Sequence, residues 1–228
     1  MVDVKLFRYS GNKCKFPHIA LPATTKGLVE PFCGSCGFSL QYNLPILAMD
    51  SNLELINMLK WLQSKPDLEA LKQYEGTRVS VKELPVCNEA KTYLRVNIAS
   101  VCVGQLSSYT IYPQHKLPIE ATKEAIKRIQ DWKFLHSSYT KYKQQEGDFV
   151  FIDPPYLDTS GNYGNNELDM GEFVAWIKSL TVPYIVTYKE PIDAISNEGW
   201  LCWLKKKVPN MRKGGCSIRE DWYYHVRH

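Results

Sequence analysis

Three short stretches carry reactive side chains at spacings that could serve a reaction. The first, Asp153-Pro154-Pro155-Tyr156, follows the apolar run FVFI at 149–152. A carboxylate at a strand end, two prolines stiffening the next residues and an aromatic ring after them make a rigid shelf. It presents an acceptor carboxylate, a free carbonyl and a π face together. The same four residues can also be read as a chain break with a packing tyrosine. The second stretch, FCGSCGF at 32–38, admits three readings: a redox Cys-x-x-Cys, a thiol-protease nucleophile segment, or a glycine turn carrying two small buried side chains. The third, RYSGNK at 8–13, holds Gly11 and Lys13 but lacks the G-x-x-x-x-G-K-S/T pattern, so triphosphate binding of the Walker type is not supported.

The company each cysteine reading requires separates the three. A papain-like site places an aromatic residue after the second Cys and a His roughly 130 to 150 residues beyond the first. Here Gly37 follows, His115 and His136 come too early, and His225 comes too late. A thioredoxin-like pair would follow an early β-α-β unit rather than precede a strand ending in an acid. Zinc needs two more soft ligands at finger-like spacing, and Cys87, Cys102, Cys202 and Cys216 stand apart, so no metal site is expected.

The elements that must position these residues follow from pattern. LVEPF at 28–32 is an apolar run meeting Gly34, Ser35 and Gly37, which predicts a buried strand entering a tight turn, with a helix over roughly 38–43. PILAMD at 45–50 predicts a second strand ending in Asp50. Ser51 and Glu54 have capping-box spacing for NLELINMLKWLQ, where Leu53, Ile56, Leu59 and Leu62 share a face. Strand, glycine turn, helix, strand, acid is the first half of a nucleotide-type α/β unit. Asp50 alone would be an ordinary helix cap, and its place in this unit is what gives it weight.

Residues 64–131 differ in character. Polar helical segments enclose TRVSVKELP and GQLSSYTIYPQHKLP, the latter reading as a hairpin or long loop, and the whole is expected to form a separate lobe. Strand character returns at WKFLH (132–136) and at GDFVFID (147–153), which must stop at Pro154. Asp169 and Glu172 cap GEFVAWIKSL, PYIVTYK is the next strand, and WYYHV the last.

Composition bounds the answer without deciding it. A chain of 228 residues with 44% hydrophobic and 23% charged residues is an ordinary globular one, expected to build one core with an elaboration. MVDVKLFRYSGNK has no apolar stretch of signal-peptide length, and no window approaches a membrane span. Seven cysteines without framework spacing fit a reducing compartment. A net charge of +4 permits nucleic-acid binding without announcing it. The basic runs Lys205–Lys207, Arg212-Lys213, and Lys123, Lys127, Arg128 and Lys133 are expected as solvated helix faces.

Taken in order, RYSGNK, LVEPFCGSCGF, ILAMDSN and FVFIDPPY resemble the Dam-type (alpha-group) N6-adenine DNA methyltransferases, whose target-recognition segment lies between the cofactor and catalytic motifs. Protein-glutamine methyltransferases differ, with Asn opening their N-P-P-Y and no long insert before it. The resemblance covers most of the chain. It implies an α/β, Rossmann-like S-adenosylmethionine-dependent methyltransferase fold from residues 1–63 and 132–228. A mostly helical or hairpin target-recognition insert would span 64–131. It further implies S-adenosylmethionine as cofactor, double-stranded DNA as partner, no membrane, and a monomer or weak dimer. The location would be the cytoplasm of a bacterium or phage-infected host, in a restriction-modification or phage setting.

Carried over residue by residue, the resemblance puts Glu30, Phe32, Cys33, Gly34 and Ser35 against the methionine part of the cofactor and Asp50 on its ribose hydroxyls. Tyr9 and Lys13 would close over the cofactor or touch the substrate. Asp153, Pro154, Pro155 and Tyr156 would be catalytic: Tyr156 stacking on a flipped adenine, Asp153 and the Pro154 carbonyl accepting its amino hydrogens. Asp153 would also border the cofactor. DNA contacts would come from Arg95, Gln105, Ser107, Ser108, Tyr109, Tyr112, Gln114 and Lys116. The same shelf serves RNA-adenine or cytosine-N4 methylation, and the fold could persist in a non-catalytic DNA-binding relative. The sequence departs from the family at Cys36, often Gly there, whose side chain is expected to crowd the cofactor turn unless Gly37 compensates. It also ends soon after WYYHV, leaving little for an extra DNA-binding element.

Overall fold

The computed structural model describes residues 4–9, 12–99, 108–155, 168–196, 199–209 and 217–227, without side chains over 203–222. Short apolar runs become the strands of one sheet. In chain order, β1 (Gly27–Glu30) leads through the glycine loop to β2 (Ile46–Asp50) and helix α1 (Leu53–Gln63). The middle segment supplies α2 (Asn88–Ile98) and α3 (Ile119–Arg128). Then come β3 (Lys133–His136), β4 (Asp148–Ile152), α4 (Met170–Ser179), β5 (Tyr184–Tyr188), β6 (Trp200–Pro209) and β7 (Ser217–Arg227).

The strand order is β3-β2-β1-β4-β5-β7-β6. β1 to β5 run parallel, and β7 lies antiparallel to both β5 and β6. The fold is therefore α/β and Rossmann-like, as expected. From the centre the order runs one way through β2 and β3 and the other way through β4 and β5, so β1 and β4 flank a topological switch point.

Alternation along each strand feeds two cores, because successive side chains point to opposite faces. Leu28, Ala48, Phe149, Phe151 and Ile185 face a large cluster with α1, α2 and α3. Val29, Met49, Val150, Ile152, Tyr184 and Val186 face a second cluster with Phe173 and Ile177 of α4 and the rings of Tyr139 and Tyr142. Both faces being covered, β4 and β5 are almost wholly buried, which is why they read as continuous apolar runs.

Several expectations are corrected. The helix over 38–43 is a single 3-10 turn, Ser39–Gln41, because Tyr42 turns extended and the chain must prepare for Pro45. The cap of α1 is Asn52, whose Oδ1 accepts from Leu55 N–H at 3.1 Å, and not Ser51. The helix consequently buries Leu55, Ile56, Met58, Leu59 and Leu62 and leaves Leu53 exposed. Of the stretch expected as a hairpin or long loop, the described residues from 108 on make one isolated bridge, Thr110 to Ser80, and TRVSVKELP makes a 3-10 turn, Val81–Glu83. Tyr93, Leu94, Ile98, Ile111, Ile119 and Ile126 of that segment share one apolar cluster with Leu28 and Phe149 of the sheet. Lys205–Lys207 belong to strand β6, which the pattern reading missed, rather than to a helix face. No helix among the described residues is long and apolar enough to cross a membrane.

The cap is a direct test of where α1 begins. Asn52→Ala is expected to cost about 1 kcal/mol, lowering Tm by roughly 2–4 °C, while Ser51→Ala leaves it unchanged. Thermal unfolding of the two variants checks this.

Candidate active site at the strand-order switch

The C-terminal ends of three neighbouring parallel strands each deliver a carboxyl: Glu30 from β1, Asp50 from β2 and Asp153 just beyond β4. Pairing of Val29 with both Leu47 and Val150 brings those ends side by side. Ligands of open α/β sheets bind in such a crevice.

Asp153 is clamped from two directions. The Lys13 ammonium donates to its Oδ2 at 2.6 Å, and the Thr187 hydroxyl donates to its Oδ1 at 2.6 Å. Lys13 is only 4% exposed and Asp153 19%, so the carboxylate looks toward solvent on one side while its counter-charge is covered. Pro154 is buried behind it and Pro155 half-buried. Tyr156 lies outside the described residues.

Lys13 reaches this place on an N-terminal strap held by the loop after β1. Gln41 Nε2 donates to the Lys13 carbonyl at 3.2 Å, and the Tyr42 hydroxyl both donates to the Ile19 carbonyl and accepts the Ile19 N–H. Phe16 sits edge-on to Phe38 and Phe151, which stack on each other at 3.8 Å. Gly37 allows the approach. A Cβ there would lie 2.7 Å from the Cys14 nitrogen and 2.9 Å from the Lys13 nitrogen, backbone atoms with no room to give.

Glu30 is buried, and its Oε1 accepts the Ser39 N–H at 2.7 Å. Burial pushes its carboxyl up to about 8, helped by the negative charge of Asp153 and opposed by the Ser39 hydrogen bonding and by Lys13. The Glu30 carboxyl is thus neutral at pH 7 beside the charged pair. Asp50 is used differently: its Oδ2 accepts the Gly34 N–H at 3.2 Å and its Oδ1 the Asn52 N–H at 2.9 Å. Burial raises it, and those two N–H groups and His136 pull it back.

The loop between Glu30 and Asp50 answers the cysteine question. Cys33 N–H is bonded to the Met49 carbonyl and Cys36 N–H to the Cys33 carbonyl, closing a turn with Gly34 at φ +46° and Cys36 at φ +56°. Both thiols are buried, and burial raises both, so neither is a ready thiolate. Cys36 stands in the left-handed region, which is the backbone reason a glycine suits that position. Ser35 is buried in the same turn. The Tyr9 ring lies against Gly34, whose added Cβ would meet Tyr9 Cε1 at 3.1 Å. Phe32 instead packs on the second core, 5.0 Å from the Tyr139 ring and 6.0 Å from that of Phe173.

The described residues among those expected to touch DNA have different surroundings. Arg95 is buried on α2, its Nη1 donating to Glu54 Oε2 at 2.8 Å, and its guanidinium lies 4.0 Å over the Tyr109 ring. Arg95 and Tyr109 line a cleft of about 420 Å³ between α1 and α2 with Asn57, Lys82 and Lys91. Ser108 Oγ accepts the Thr110 N–H, and Tyr112 meets the edge of His115. Gln114 and Lys116 are exposed on the approach to α3, Lys116 paired with Glu75 at 3.3 Å. Gln105 and Ser107 lie outside the described residues. Among the described residues no cluster of His, Cys, Asp and Glu could hold a metal ion.

Thr187 escaped the reading of the sequence. Its signal was a threonine in the buried strand YIVTY, since a buried polar group must find a partner. Gly37 was noticed only as a neighbour of Cys36.

Folded Glu30 keeps its proton up to about pH 8, whereas the unfolded chain releases it near the ordinary value of 4.5. Stability therefore falls as pH rises through that window, by up to roughly 5 kcal/mol. Glu30→Gln keeps an acceptor for Ser39, so its Tm is expected to match wild type near about pH 5 and exceed it by several degrees near about pH 8.5. Gly37→Ala is expected to destabilise by roughly 2 kcal/mol or more through the clash with the strap. Cys36→Gly should stay within about 1 kcal/mol of wild type, because relief of the left-handed backbone offsets the lost side-chain burial. Urea unfolding of both variants measures this.

No family model matches the chain. Solved structures to which it is similar include the Haemophilus influenzae protein titled "putative methylase HI0767", at 12% identity over 94% of this chain and 84% of that one, TM-score 0.35. Another is the Escherichia coli protein titled "Putative methyltransferase yhhF", at 11% identity over 91% and 81%, TM-score 0.36. A third is a conserved hypothetical protein from Streptococcus pyogenes, at 14% identity over 89% and 88%, TM-score 0.30. At such identity and superposition, no residue role or activity is carried from them to this chain.

Proposed function

We propose that the protein is an S-adenosylmethionine-dependent methyltransferase acting on the exocyclic amino group of a nucleic-acid base, with adenine N6 in duplex DNA as the substrate. The observation that supports this best is Asp153. It stands at the C-terminal end of β4 at the switch point, partly exposed before two prolines and clamped by Lys13 and Thr187, on the strand that pairs with β1, from which the glycine loop departs.

The crevice suits the cofactor by the chemistry of its donors. Asp50 spends one lone pair of each oxygen on backbone N–H groups, which leaves a second on each for a pair of hydroxyls. Gly34 takes the left-handed backbone that turns the loop and lets the Tyr9 ring close against it, and Glu30 offers a buried carboxyl that ionises readily when a cation is brought beside it. Glu30, Cys33, Gly34, Ser35 and Asp50 would hold the cofactor, with Tyr9 over the turn. When bound, it supplies a methyl group on a sulfonium, a good electrophile with a neutral thioether as leaving group.

The chain's own part is alignment. An adenine amino nitrogen is a poor nucleophile because its lone pair is delocalised into the ring. It is also hidden in the duplex, so the base must be flipped out. Asp153 and the Pro154 carbonyl accept the two amino hydrogens, drawing the nitrogen toward a tetrahedral shape with its lone pair free for the methyl. Tyr156 supplies a stacking face worth roughly 1–3 kcal/mol. The shelf is stiff, so much of the rate comes from orientation rather than from acid-base strength. The extra proton leaves from the methylated nitrogen to Asp153 or water.

Transfer of labelled methyl from S-adenosylmethionine to DNA, followed by digestion to nucleosides, tests this. Label in N6-methyl-2′-deoxyadenosine from DNA, lost by about 100-fold or more in Asp153→Ala, is the expected outcome. Label only from RNA or in methylcytosine corrects the substrate, and an equally active Asp153→Ala removes the mechanism.

A further inference from the structure

We propose that Thr187 is a positioning residue for Asp153, fixing the plane of its carboxylate so that one edge of it faces the substrate amino group. This rests on the methyltransferase reading and adds to it a residue that no motif marks.

The sheet makes the contact. β4 and β5 are paired in parallel with Ile152 opposite Val186, so the next residue along each strand, Asp153 and Thr187, are neighbours where the strands end. Thr187 is fully buried, and its hydroxyl oxygen lies 2.6 Å from Asp153 Oδ1. A carboxylate offers only acceptors, so the hydroxyl must be the donor, and its orientation is fixed by that partner. Its β-branched side chain has few rotamers, which makes the strand itself the anchor.

Among the described residues, Lys13 and Thr187 divide the work on Asp153. Lys13 holds Oδ2, but it does so from the strap, at the end of a long side chain. Thr187 holds Oδ1 from a central strand. With a single anchor the carboxyl could rotate about χ2, which is a broad torsion for Asp. With anchors on both oxygens the plane is set, and a carboxylate oxygen can accept more than one hydrogen bond, so the anchors do not by themselves exclude a substrate N–H. Because reaction at a delocalised nitrogen depends on direction more than on proton affinity, a loose carboxylate should bind substrate nearly as well and turn it over more slowly.

The test compares Thr187→Val and Thr187→Ser in the full chain. Val keeps the shape and lacks the hydroxyl; Ser keeps the hydroxyl and lacks the methyl. Thr187→Val is expected to lose roughly 10- to 100-fold in kcat, with the DNA KM and calorimetric S-adenosylmethionine Kd within about twofold of wild type. Thr187→Ser is expected to recover to within about threefold of wild type. Should Thr187→Val not fold, Thr187→Ala, which also lacks the hydroxyl, replaces it. A Thr187→Val enzyme with wild-type kcat overturns the proposal, as does a Thr187→Ser variant as slow as Thr187→Val, since packing would then be the cause. Absence of methyl transfer by wild type overturns the methyltransferase reading itself and the role of Thr187 with it, a result distinct from the other two.

Discussion

The rest of the site depends on one ion pair, Lys13 to Asp153, which ties the N-terminal strap to the end of β4 across 140 residues. Lysine so thoroughly covered must be paired, since removing one partner of a buried pair typically costs about 3–5 kcal/mol. The pair also explains the strap. Gln41, Tyr42 and Phe16 hold it against the loop after β1, and Gly37 lets two stretches of backbone nearly touch. Without that approach the ammonium could not reach the crevice.

Three carboxyls converge at the C-terminal ends of neighbouring strands, and like charges so placed cannot all be served the same way. Asp153 takes the cation. Asp50 is held by backbone N–H groups, which also fasten the glycine loop to β2. Glu30, with a single backbone N–H from Ser39 and no solvent, keeps its proton. Each solution has a different mechanical result: one carboxylate is aimed outward, one is structural as well as available, and one is a neutral group that a cation would ionise. The two thiols of the loop belong to the same economy of space. They are small side chains in a close-packed turn, and burial keeps them inert.

Legibility followed range along the chain. The strands β1, β2, β4 and β5 announce themselves as apolar runs ended by Gly, Pro or an acid, and the Asp153 shelf is contiguous. The start of α1 was misjudged by one residue because Ser51 and Asn52 are both good caps, and only the hydrogen bond from Asn52 N–H to Asp50 selects between them. The lysine run 205–207 looked helical because charge has no period, and its true state follows from pairing with β7. Arg95 looked like a surface donor. It is buried because Glu54, on another helix, and the Tyr109 ring receive it.

What the sequence alone determined is what rests on neighbours within a few residues: an α/β chain, a glycine turn after a strand, an acid on prolines, and cysteines unfit for catalysis by spacing. Tertiary structure alone decided which of these meet. The sheet order put the ends of β1 and β4 together, and strand register set Thr187 beside Asp153. Gly37 admitted Lys13. The reason is physical: local pattern reports burial and backbone preference, whereas a charge or hydroxyl finds its partner by sheet register and close packing, which join residues far apart in the chain.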